Sequence, residues 1–91
     1  MENRVVIYIT PYSFYYKGCK VTIWGAKRFD LPTGERRYLL SLEVEWRGYR
    51  SRQFTLEVKD SYDFKNKLDL EIARMKLAIL TGNLSPFVKV R

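Results

Sequence analysis

The chain predicts an α+β fold in the order ββββα, a four-stranded antiparallel sheet made of two hairpins followed by one long C-terminal helix. Three observations carry the prediction. Apolar and polar residues alternate from Arg36 to Arg47 and again from Ser51 to Val58, the period of a half-buried strand. After Asp60 the apolar spacing changes to three and four, the period of a helix. Between the β-rich segments lies Asp30-Leu31-Pro32-Thr33-Gly34-Glu35, a turn-forming stretch that separates the hairpins. At 91 residues the chain is one domain, with the sheet at about 4–59, the helix at about 61–81 and a tail at 82–91.

The first strand is Arg4 to Thr10, β-branched and aromatic, and it stops at Pro11. Phe14 to Phe29 is a second β-rich run with breaks at Gly18 and Gly25. In the third strand Tyr38, Leu40, Leu42, Val44 and Trp46 share one face, while Arg37, Ser41, Glu43, Glu45 and Arg47 share the other, with Leu39 as the exception. In the fourth, Phe54, Leu56 and Val58 point inward.

Register follows from pattern. A two-residue loop at Arg47-Gly48 would set Leu42 against Gln53 and Leu40 against Thr55, polar opposite apolar on the buried face. A three-residue loop Arg47-Gly48-Tyr49, or an equivalent bulge, pairs Leu42 with Phe54, Leu40 with Leu56 and Tyr38 with Val58. It also places Glu43 opposite Gln53, Glu45 opposite Ser51, Trp46 beside Arg50 and Val44 beside Arg52.

Asp60 or Ser61 caps a helix whose stripe Phe64, Leu68, Ile72, Met75 and Ile79 faces the core, ending at Thr81-Gly82-Asn83 with Pro86 beyond. On a helical wheel Leu70, Ala73, Leu77 and Leu80 form a second apolar stripe about 180° away. A helix apolar on two sides is covered on two sides. The cover is the tail from Leu84 folding back or, the favoured reading, a second copy of the chain in a homodimer.

The net charge is +7, and residues 1–59 hold 11 basic and 6 acidic groups against 6 and 4 in the remainder. That excess in the strands is interleaved with aromatic residues, as in Trp24-Gly25-Ala26-Lys27-Arg28 and Trp46-Arg47-Gly48-Tyr49-Arg50-Ser51-Arg52. Cations hold phosphates and ring faces stack on bases, so the expected function is non-catalytic nucleic-acid binding, to single-stranded DNA or RNA. Outward parity nominates Lys20, Trp24, Arg28 and Arg37, and the hairpin tip adds Arg47, Tyr49, Arg50 and Arg52. Trp24 packed beneath a turn or the tail is the competing reading, and Trp46, on core parity, is structural. Glu43 and Glu45 place negative charge in the middle of the same face, so a strand must avoid them or use a sheet edge. The alternative function is a small accessory subunit or inhibitor, of polymerase-associated or viral type, that binds a protein through the second helix stripe.

Histidine is absent and Cys19 is the single cysteine, so no imidazole base, thiolate cluster or intrachain disulfide is available, and no Walker, Rossmann or nucleophile-elbow motif occurs. No enzyme activity, cofactor or metal is expected. The weak exception is a Mg²⁺ nuclease built on Glu43, Glu45 and Glu57, which do not converge in the favoured register. Cys19 reads as a small buried hydrophobe. No signal peptide or membrane span is present, which gives a cytoplasmic expectation without membrane contact. Glutamine is limited to Gln53 and asparagine to Asn3, Asn66 and Asn83, a composition of thermophilic type.

The order of four antiparallel strands and a helix resembles the single-strand-binding families of the PUR, Whirly and ThermoDBP type, which implies nucleic-acid binding with dimerisation through the helix. Tyr38 to Pro86, with Glu45-Trp46-Arg47-Gly48-Tyr49-Arg50-Ser51-Arg52-Gln53-Phe54-Thr55, a helix and Gly82-Asn83-Leu84-Ser85-Pro86, is similar to the arm-type DNA-binding domain of phage integrases. In that family the sheet enters the major groove. The chain has an extra N-terminal hairpin and no recombinase domain, and neither resemblance transfers functional residues.

Overall fold

A computed structural model of the chain describes residues 6–8 and 11–90, and the side chains of 11–90. One antiparallel sheet carries one helix on a single face. Strand β1 (Val6–Tyr8) and strand β2 (Tyr12–Tyr16) both pair with β3 (Cys19–Asp30), which pairs with β4 (Arg36–Trp46). Strand β4 is flanked in turn by β5 (Tyr49–Ser51) at its end and β6 (Phe54–Val58) along its length, and β7 (Phe87–Lys89) adds to β5. Helix α1 (Ser61–Leu80) crosses the sheet. The sheet has more strands than the four expected because two lanes are each interrupted and the tail supplies another.

The expected second run divides at Gly18. Lys17-Gly18 is a two-residue turn with both residues at positive φ, 51° and 77°, so β2 and β3 form the first hairpin and pair Tyr16 with Cys19. Strand β1 continues the β2 lane beyond Pro11, which suits an edge because proline has no N–H to give a ladder. The ends of the expected Arg4 to Thr10 strand lie outside the described residues. Gly25 breaks nothing: the β3–β4 pairing shifts between Ile23 and Gly25, leaving Trp24 as the extra residue of a bulge.

The second hairpin combines both registers weighed from the pattern. Tyr38, Leu40 and Leu42 face Val58, Leu56 and Phe54, as the apolar alternation requires. At the tip, however, Arg47-Gly48 is a tight turn with φ of 51° and 79°, and Trp46 faces Tyr49 while Glu45 faces Arg50. The extra residue falls instead at Arg52-Gln53, between β5 and β6, where Ser51 Oγ accepts the Val44 N–H at 2.9 Å. The expected neighbours Trp46–Arg50 and Glu45–Ser51 are therefore displaced by one.

The core is the layer between sheet and helix: Cys19, Val21, Leu42 and Val44 meet Leu68, Ile72 and Met75, with Phe14, Tyr16, Ile23, Leu40, Trp46, Phe64 and Ile79 packed around them. Cys19 is completely buried as a small hydrophobe, and burial pushes its thiol pKa up. Asp60 caps the helix, accepting the Asp63 N–H at 2.8 Å, and the Asp63 carboxylate returns the contact to the Lys59 N–H at 3.0 Å. At the other end Gly82, at φ 80°, lets Gly82 and Asn83 N–H reach the Ile79 and Ala78 carbonyls.

The tail does not fold over the helix. It runs to the sheet edge, where Tyr49, Arg50 and Ser51 pair with Lys89, Val88 and Phe87, and the Val90 N–H donates to the Gly48 carbonyl. Leu70, Leu77 and Leu80 accordingly stay 51%, 65% and 63% exposed. No helix among the described residues is long and apolar enough to cross a membrane.

Candidate nucleic-acid interface

The open face of the sheet, opposite the helix, is built from cross-strand rows. Nearest the Lys17-Gly18 and Arg47-Gly48 turns the row is Tyr15, Lys20, Glu45 and Arg50, and the next is Ser13, Thr22 and Glu43. Ser13 and Thr22 hydroxyls are hydrogen-bonded at 2.9 Å. The bulge then presents Trp24, and Pro11, Ser13, Lys20, Thr22, Trp24, Glu43, Glu45 and Arg50 line one shallow groove. Tyr15 is 79% and Trp24 41% exposed, so both ring systems are accessible to solvent. Lys20 and Trp24 are four residues apart on β3, about 13 Å along the strand.

The groove floor is nearly neutral. Arg50 Nε lies 3.7 Å from Glu43 Oε2, and Lys20 is level with Glu45. Cations accumulate instead around the rim, because both hairpin turns emerge at the same end of the sheet as β7. Arg47, Arg52 and Lys89 are exposed there and have no ion pair among the described residues. Lys17, at the neighbouring turn, is instead paired with Asp69 of the helix at 3.0 Å.

The helix holds this end in place. Asp69 accepts the Tyr16 hydroxyl at 2.6 Å and pairs with Lys17 at 3.0 Å and Lys65 at 3.4 Å. The Tyr16 hydrogen bond first, and the Lys17 bond second, lower the Asp69 pKa to about 2. Lys76 donates to the Lys17 carbonyl at 2.7 Å and stands 5.3 Å from the Trp46 ring centre, with the Arg47 guanidinium 4.6 Å from the same ring. Trp46 is thus a half-buried structural residue between two cations.

The residues nominated by parity and position divide accordingly. Lys20, Trp24 and Arg50 come together in the groove, and Arg47 and Arg52 stand on its rim. Trp24 is neither beneath a turn nor beneath the tail. Arg28 is a correction, since the bulge at Trp24 reverses parity and pairs it with Tyr38 on the helix side of the sheet, where its Nε is buried. Tyr49 is another, because the tight turn sets it opposite Trp46 and packs it against the core. Arg37 keeps its outward parity, but it sits at the far end of the hairpin and is bound to Glu35 at 2.7 Å. The aromatic and basic run Phe14-Tyr15-Tyr16-Lys17 is visible in the sequence, and the pairing of Tyr15 with Lys20 brings Tyr15 to the open face.

The carboxylates do not gather. Glu57 pairs with Leu39, four residues or about 13 Å along β4 from Glu43, and among the described residues no group of three or more acidic, histidine or cysteine side chains could hold a metal ion. No family model, curated protein or solved structure matches the chain.

Proposed function

We propose that the protein is a non-catalytic nucleic-acid-binding protein that takes single-stranded DNA or RNA across the turn end of its open sheet face. The observation that carries this reading is the placement of two solvent-exposed aromatic rings, Tyr15 and Trp24, beside Lys20 and Arg50 in a face ringed by further cations. Bases stack on Tyr15 and Trp24, and phosphates run along Arg47 and Arg52, outside the neutral floor. Glu43 and Glu45 keep the backbone of the strand on the rim. Unstacked bases are needed to reach the rings, which favours a single strand over a duplex.

A turn with two positive-φ residues prefers asparagine, aspartate or glycine first, and an ordinary residue there costs roughly 1–2 kcal/mol. Both turns nevertheless carry a cation in that position, Lys17 and Arg47 at φ 51°. The contacts of these side chains offset part of that cost, Lys17 with Asp69 at 3.0 Å and Arg47 over the Trp46 ring at 4.6 Å.

The test is direct titration of fluorescently labelled DNA and RNA oligonucleotides, single-stranded and duplex, at about 50 mM salt. Saturable binding that weakens with salt and is stronger for single strands is expected. Absence of binding to all four probes overturns the reading.

A further inference from the structure

Carboxylates are out of place on a face that receives a polyanion, and Glu43 is the one most firmly set there. It stands level with Thr22, in the row nearest Trp24, and its side chain is 17% exposed. Arg50 Nε lies 3.7 Å from Glu43 Oε2, too far for a hydrogen bond, and the Thr22 hydroxyl is bonded to Ser13 at 2.9 Å. Among the described residues no hydrogen bond reaches the Glu43 carboxylate. Both of its oxygens are open to whatever enters the groove that it lines.

Three lining groups therefore stand together: an aromatic face at Trp24, a carboxylate at Glu43 and a guanidinium at Arg50. Of the common bases only guanine carries the complement of that set on one edge. Its N1–H and N2–H2 are adjacent donors that fit the two oxygens of a carboxylate, and the O6 acceptor beside them meets a cation. Adenine and cytosine set a ring-nitrogen acceptor next to the amino group, and thymine or uracil flanks its one N–H with carbonyls. Each of these brings an acceptor against a carboxylate oxygen, an unpaired contact that costs binding.

We propose that the groove is a guanine subsite, in which Trp24 stacks on the base, Glu43 accepts its N1–H and N2–H2, and Arg50 donates to its O6. This rests on the reading that the open face takes a single strand, where base edges are unpaired and can be read. It gives the acidic floor a role that phosphate binding leaves unexplained. Arg50 suits it, because its Nε faces Glu43 while a side chain 42% exposed keeps the terminal N–H groups for a ligand. Glu45, level with Lys20 and two residues further from Trp24, is not needed for the contact.

Fluorescence anisotropy with labelled DNA strands of about ten residues tests the subsite, in lithium chloride to prevent guanine quadruplexes. The strands are thymine-only, alternating thymine–cytosine, alternating thymine–guanine and alternating thymine–hypoxanthine, the last differing from guanine only in lacking the N2 amine. The guanine strand is expected to bind at least about fivefold tighter than the thymine and cytosine strands, with hypoxanthine between. Glu43→Gln should move the strands in opposite directions, loosening the guanine strand by removing its paired acceptors and tightening the thymine-only strand by removing a negative charge. A carboxylate acting through charge alone would move both the same way. Glu57→Gln, on the same face about 13 Å along the sheet from Glu43, should leave the guanine preference unchanged. Equal affinity for all four strands overturns the guanine subsite and leaves single-strand binding standing, whereas binding to none overturns both. A preference that hypoxanthine keeps in full, or that survives Glu43→Gln, overturns the assignment to Glu43.

Discussion

Replacing Arg47 and Arg52 together by glutamine removes two rim charges without emptying the space they occupy. Glutamine is preferable to a truncation at Arg47, which sits at positive φ and stacks on Trp46. In a single-stranded complex, each phosphate no longer neutralised by a side chain lowers the slope of log K against log salt by about 0.7, so the double variant's slope should fall by about 1.4. Between about 50 and 200 mM salt, the affinity gap between wild type and variant should then narrow roughly sevenfold. Arg50 behaves differently, because Glu43 stands 3.7 Å from its Nε and already answers its charge. Arg50→Gln should therefore change the slope by less than either rim position. Fluorescence anisotropy of a labelled oligonucleotide across a salt series measures all three slopes, with thermal melts confirming folded variants. Weaker binding by the double variant at an unchanged slope would refute the assignment of Arg47 and Arg52 to phosphates.

Trp24→Ala should cost about 1–3 kcal/mol of binding by removing one stacked base, while the melting temperature barely moves because the ring lies in an open groove; titration with calorimetry separates the two effects. Asp69 has a folded-state pKa of about 2 against an ordinary value of 3.8, so it stabilises the fold above pH 3.8 and loses that contribution as pH falls toward 2. Asp69→Asn should accordingly melt below the wild type at neutral pH, and the difference should vanish near pH 2; a difference that persists there would show that the contact does not act through the carboxylate charge. Leu42→Ala, at a position with 0% exposure, should lower unfolding free energy by about 2–5 kcal/mol in urea, a large part of the roughly 5–14 kcal/mol available to a domain of this length.

Elements governed by neighbours in sequence were legible from the residues alone. Alternation along β4 and β6 placed Leu42 against Phe54 and Leu40 against Leu56, because a shift of one residue would have turned an entire apolar face to water. The helix and its core stripe followed from spacing, and the need to satisfy the first N–H groups narrowed the cap to Asp60 or Ser61, of which the structure uses Asp60. The bulges were decided by cross-strand packing, and they set which side chains reach the open face. One extra residue at Trp24 moved Arg28 to the helix side, and moving the second bulge beyond the Arg47-Gly48 turn carried Tyr49 to the core. No local pattern records where an irregularity falls, since its cost depends on strands distant in sequence. The same holds for the turn end of the sheet, where Lys20, Arg47 and Arg52 come from three separate segments, and for the tail, which satisfies the backbone of β5 instead of covering the helix. Sequence alone determined the period of each element and the composition of its faces. Tertiary structure decided which faces join, because register and edge pairing are settled by hydrogen bonds between segments far apart along the chain.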